Sequence, residues 1–127
     1  MKKVLVVEDS RLVSELLRIE LGKRDFDVTV RDDGLEGLKT AKDIVPDILI
    51  LDVMLPSMNG FKICRLLKFD KRFKNIPVIM LTTRSLEDDQ KIGMTSGANA
   101  YMAKPFKIEV LVEKMEELLN EVGAVEG

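Results

Sequence analysis

The stretch "ILILDVMLPSMNG", Ile48–Gly60, runs four apolar residues straight into a carboxylate, Asp52, and follows it with Pro56 and Gly60. An apolar run with no in/out alternation suits a strand covered on both faces, as in a parallel sheet flanked by helices. Comparable short runs rich in Val, Ile and Leu recur at Val4–Val7, Val28–Val30 and Val78–Leu81, with a weaker one at Ala100–Met102. Segments with helical spacing separate them. The expected fold is therefore α/β: a doubly wound sheet of five parallel strands.

Between the strands the helices announce themselves by caps and periodicity. Ser10 is placed to cap a first helix whose apolar stripe reads Leu12, Val13, Leu16 and Leu17, with Arg11, Ser14, Glu15 and Arg18 toward water. Leu35, Leu38 and Ala41 follow the Asp33-Gly34 turn as a second helix, and Phe61, Ile63, Cys64, Leu66 and Leu67 follow Gly60 as a third. Asp32 and Asp33 read as turn and cap residues. A fourth begins near Ser85, where Ser85 and Asp88 form a capping box, but Gly93 in its body makes it a weak, mobile element. The last carries Leu111, Met115, Leu118, Leu119 and Val122 on one face and is expected to end near Gly123. Residues 1–122 thus read as one domain and 123–127 as a tail or the start of a linker.

Composition narrows the chemistry. The 127 residues are 46% hydrophobic and 33% charged, enough for an independent hydrophobic core. A net charge of −2 provides no global basic field for nucleic acid. With one cysteine, Cys64, and no histidine, the chain lacks the means for an internal disulfide, a zinc cluster or a histidine-based triad. The apolar run in "MKKVLVVEDS" stops at Glu8, too short for a signal peptide or a membrane span, so no membrane role and a cytoplasmic location are expected.

Doubly wound sheets bind ligands beyond the carboxyl ends of their strands. The polar residues collect there: Glu8 and Asp9 after the first strand, Asp52 after the third, Thr82 after the fourth and Lys104 beyond the fifth. In the flavodoxin-like (βα)5 order, 2-1-3-4-5, the first and third strands are adjacent, and Glu8, Asp9 and Asp52 would then share one crevice. Like charges at that spacing are costly unless a lysine or a cation neutralises them. Oxygen-only ligands favour a hard cation, and Mg²⁺ keeps several waters and bridges to phosphate oxygens.

The fragments "VLVVEDS", "PDILILDVMLPSMNG", "PVIMLTT" and "GANAYMAKPF", in this order and spacing, resemble the receiver domain of two-component response regulators over nearly the whole chain. The resemblance implies that Asp52 accepts a phosphoryl group from a histidine kinase or phosphotransfer protein, that Glu8, Asp9, Asp52 and the carbonyl of Met54 hold Mg²⁺, and that Thr82 and Lys104 contact the phosphoryl oxygens. It also implies a switch, in which Thr82 and Tyr101 move and a face made of the fourth helix, fifth strand and fifth helix is reshaped for an effector or output domain. Lys104-Pro105 resembles the family's cis peptide. Carboxylate nucleophiles are an established class, and transfer of this kind depends on positioning and charge neutralisation. The competing reading is a degenerate receiver that only docks partners; an Mg²⁺-dependent aspartyl phosphatase would carry a second acid where this chain has Met54.

Overall fold

The computed structural model describes residues 1–83 and 96–126. Its strands are β1 (Lys2–Val7), β2 (Phe26–Arg31), β3 (Ile48–Asp52), β4 (Val78–Thr82) and β5 (Ala100–Ala103). Four helices lie among the described residues: α1 (Arg11–Gly22), α2 (Gly34–Ile44), α3 (Gly60–Lys68) and α4 (Ile108–Glu126). All strand pairs are parallel and the order is β2-β1-β3-β4-β5, the doubly wound arrangement expected. The helix expected to start near Ser85 falls outside the described residues.

Successive residues of a strand face opposite sides, so an unbroken apolar run feeds two cores at once. Val4, Val6, Ile48, Ile50, Ile79 and Leu81 pack on Leu17 and Leu21 of α1 and Leu111 and Met115 of α4. Their immediate neighbours Leu5, Val7, Leu49, Leu51, Val78 and Met80 pack on Leu38 and Ala41 of α2 and on Phe61, Ile63, Cys64 and Leu67 of α3. Each fully buried side chain of this size contributes about 2 kcal/mol.

Helix phases differ from the expected stripes in instructive ways. On α1 the buried residues are Ser14, Leu17 and Leu21, whereas Leu12 is 83% exposed and Leu16 about half exposed. Two adjacent stripes were compatible with the spacing, and packing selected the one containing a serine. Ser14 tolerates burial because its hydroxyl donates to the Arg11 carbonyl at 3.2 Å. Leu35 of α2 and Leu66 of α3 are also exposed. Ser10, Asp33 and Asn59 cap α1, α2 and α3, each accepting from a backbone N–H three residues on. The last helix does not stop near Gly123 but continues to Glu126. One glycine costs a helix only about 1 kcal/mol, and no proline follows to end it.

Helix α2 ends on Val45, a β-branched residue in the left-handed region (φ 46°, ψ 74°) whose side chain is 46% exposed. Its N–H still donates to the Ala41 carbonyl at 3.0 Å, the bond of a left-handed helix stop, before Pro46 leads into β3. A β-branched side chain in that conformation is strained. Val45→Gly is therefore expected to stabilise the fold by about 0.5–1 kcal/mol, read as a higher urea midpoint at unchanged slope.

Candidate functional site

Each strand hands its polar residues over at the carboxyl edge, and strand alternation decides their direction. Val4 and Val6, Ile48 and Ile50, and Ala100 and Met102 all face the α1/α4 side of the sheet. One further two-residue step carries Glu8, Asp52 and Lys104 to that same side. The contacts agree: the Lys104 ammonium pairs with Glu8 and lies 3.3 Å from Asp52 Oδ1. One oxygen each from Glu8, Asp9 and Asp52 lies within 4.8 Å of the others. The pairing of β1 with β3 sets Glu8, Asp9 and Asp52 together, and Lys104 reaches them from the end of β5 across β4.

Glu8, Asp52 and Thr82 are buried, at 1%, 4% and 1% exposure, while Asp9 opens to solvent. Glu8 is further held by the Ser10 N–H, which donates to its Oε2 at 3.0 Å. Burial, followed by the neighbouring Glu8, raises the Asp52 pKa to about 7, against the partial opposition of Lys104. For Lys104 burial acts downward, but the bond to Glu8 and the charges of Asp52 and Glu8 outweigh it and hold the ammonium above its ordinary value. Three carboxylates facing one ammonium leave an excess of negative charge. An all-oxygen donor set open on the Asp9 side fits a hard divalent cation.

Thr82 and Tyr101 lie on the other side of the sheet edge. Tyr101 stands in register with Met80, two residues before Thr82, and is half-buried against the α2/α3-side core. The Lys104-Pro105 bond is cis, as the sequence resemblance implied. The Met54 side chain is 58% exposed, which is compatible with a role for its backbone carbonyl rather than its thioether.

Sequence reasoning missed the residues that hold the β3–α3 loop. Gly60 donates its N–H to the Val53 carbonyl at 2.9 Å, and a Cβ there would lie 2.2 Å from the Asp52 carbonyl oxygen. Farther along the loop, the Gly34 N–H donates to the Pro56 carbonyl and the Leu35 N–H to Ser57 Oγ, each at 3.0 Å. Ser57 adopts φ 65° to make that contact. The only signals were the pairs Asn59-Gly60 and Asp33-Gly34, which read as ordinary helix starts.

Fold and site together define a doubly wound α/β protein with a cation-ready acidic pocket around a buried aspartate. Residues 4–116 match the response regulator receiver domain, and the chain belongs to that family, the receiver domains of two-component systems. It is 37% identical over 120 residues to the DNA-binding dual master transcriptional regulator RpaA of Synechocystis sp., covering 94% of this chain and 50% of that protein. It is likewise 37% identical over 119 residues to the alkaline phosphatase synthesis transcriptional regulatory protein PhoP of Bacillus subtilis, covering 94% and 49%. The chain spans about half the length of these relatives.

Among solved structures, a CheY-like receiver domain protein from Methanospirillum hungatei JF-1 superposes with a TM-score of 0.92 at 25% identity, covering 100% of this chain and 99% of that one. The receiver domain of sensor histidine kinase PA1611 from Pseudomonas aeruginosa PAO1, with a magnesium ion coordinated in its active site cleft, gives 0.86 at 26% identity, covering 94% and 98%. No described helix of the present chain is long and apolar enough to cross a membrane.

Proposed function

We propose that Asp52 is the phosphoacceptor of a phosphorelay, receiving a phosphoryl group from a sensor histidine kinase or phosphotransfer protein in the cytoplasm. The observation that carries this reading is the meeting of Glu8, Asp9 and Asp52 within 4.8 Å, with Lys104 paired to two of them. An Asp52 carboxylate oxygen attacks phosphorus, the bond from phosphorus to the donor atom breaks, and the donor leaves with that electron pair. Glu8, Asp9, Asp52 and the Met54 carbonyl would hold Mg²⁺, which when bound neutralises charge on the transferring phosphoryl oxygens. Lys104 offers its ammonium to the same oxygens, and the Thr82 hydroxyl approaches them from the far side of the strand edge.

A phosphoryl group adds a charge of about −1.5 to −2. In this reading it draws Thr82 toward Asp52, Tyr101 follows, and the face including β5 and α4 changes its fit to an effector protein or output domain. Residues 1–122 are taken as the receiver domain and 123–127 as its C-terminal tail or the start of a linker. Nucleic acid is not a direct partner of this domain. The intact set of three acids, hydroxyl and lysine favours an active acceptor over a docking-only receiver.

Acetyl phosphate with MgCl₂ tests the proposal by intact mass. Wild type is expected to gain one phosphoryl group, whereas Asp52→Asn and the EDTA-treated wild type gain none. Failure of wild type to incorporate phosphate, together with no heat of Mg²⁺ binding, would leave the docking-only receiver as the better description.

A further inference from the structure

At the edge of the sheet opposite Asp52, the end of α3 carries a surface that phosphoacceptor chemistry does not use. Phe69, the residue closing α3, is 78% exposed and Leu66 42%. They line an open groove of about 750 Å³ whose rim carries the exposed cations Lys42, Arg65, Lys71 and Arg72. One acid, Asp70, also reaches the groove, but it is already consumed: it accepts from the Arg72 N–H at 2.9 Å and from the guanidinium at 3.1 and 2.9 Å. Lys42, Arg65 and Lys71 make no ion pair among the described residues.

The wall of this groove is built firmly. Lys68 turns its ammonium inward, donating to the Ile76 carbonyl at 2.6 Å and the Lys74 carbonyl at 3.2 Å, which tacks the loop between α3 and β4 onto the helix end. Phe73 is buried beneath, with the Arg72 guanidinium 4.9 Å from its ring centre. The patch is therefore locally basic on a chain whose net charge is −2. Leu66 and Phe69 stand three residues apart at the helix end, so their exposed apolar surfaces adjoin and are rimmed by cations.

We infer that this α3-end groove docks an acidic peptide segment of a partner protein, an apolar side chain seating on Leu66 and Phe69 while flanking carboxylates pair with Lys42, Arg65 and Lys71. Charge complementarity selects this occupant. Single-stranded nucleic acid would need successive rings for stacking, and the groove exposes one ring beside an aliphatic side chain.

The test titrates the full chain, ¹⁵N-labelled, with a synthetic peptide in which a Leu-Phe pair is flanked on each side by three glutamates. Saturable amide shifts are expected at Lys42 and from Arg65 to Arg72. Phe69→Ser should weaken binding about tenfold, as should Arg65→Glu combined with Lys71→Glu. All three positions are exposed, and an unchanged thermal midpoint confirms that the variants stay folded. Asp52→Asn should bind as wild type does, which separates this groove from the phosphoacceptor proposal.

No saturation up to about 1 mM peptide, equal binding of a peptide with alanines in place of Leu-Phe, or equal binding of oligothymidine would each overturn the inference. Self-association of the protein that Phe69→Ser abolishes, seen by sedimentation equilibrium, would make the occupant a second copy and overturn it too.

Discussion

At pH 8 without divalent metal, Asp52→Asn is expected to melt about 8 °C above wild type, and the difference is expected to vanish by pH 4. In the unfolded chain an aspartate titrates near 3.9, whereas burial and the adjacent Glu8 raise the folded value to about 7. Between those values the folded protein keeps a proton that the unfolded chain has released. The stabilising contribution is therefore complete below the unfolded pKa and is lost as pH rises through 7. A tenfold step in protonation is worth about 1.4 kcal/mol; because the pocket opens to solvent on the Asp9 side, screening brings the expected scale down to about 2 kcal/mol.

Asparagine removes the charge that causes the loss, and the Lys104–Glu8 pair remains. Excess MgCl₂ should reverse the order by stabilising wild type, about 2.7 kcal/mol at a hundred times the dissociation constant, with a smaller effect on the variant. Differential scanning calorimetry at several pH values, with and without MgCl₂, checks both statements. A melting difference that does not vary with pH would refute the electrostatic account.

Gly60→Ala is the second large effect. The added Cβ would lie 2.2 Å from the Asp52 carbonyl oxygen, 3.0 Å from its carbon and 3.1 Å from the Val53 Cα, all of them backbone atoms. No side chain can rotate away, so β3 and α3 must separate just where Asp52 is presented. A loss of about 3 kcal/mol or more is expected, with phosphoryl uptake falling in the fraction that remains folded. Gly22→Ala is the matched control, because nothing lies within 4 Å of a Cβ there. It should be neutral or stabilising by up to about 1 kcal/mol. Urea unfolding of the two variants side by side distinguishes a local steric cause from a general cost of replacing glycine.

The helix faces show where reading along the chain ran short. Leu12 and Leu16 suit the same spacing as Leu17 and Leu21, yet only the latter pair meets the sheet, and Ser14 takes a buried position that its polarity argued against. Leu66 reads as core by its position in α3, but its exposure beside Phe69 creates the basic groove. Amphipathic period restricts a helix to neighbouring stripes without choosing between them. The choice depends on the rotation at which each helix meets the sheet.

By itself, the sequence determined the alternation of strands and helices, the burial of the central strands on both sides and the polar residues of the carboxyl edge, because these follow from local apolar runs and strand ends. Only the tertiary structure decided that Glu8 would share Lys104 with Asp52, that Gly60 and the Gly34–Ser57 contacts would hold the loop beyond Asp52, and that Leu66 would face solvent. Those outcomes depend on distances between segments far apart in the chain, which are set when β1 and β3 pair and the helices settle onto the sheet.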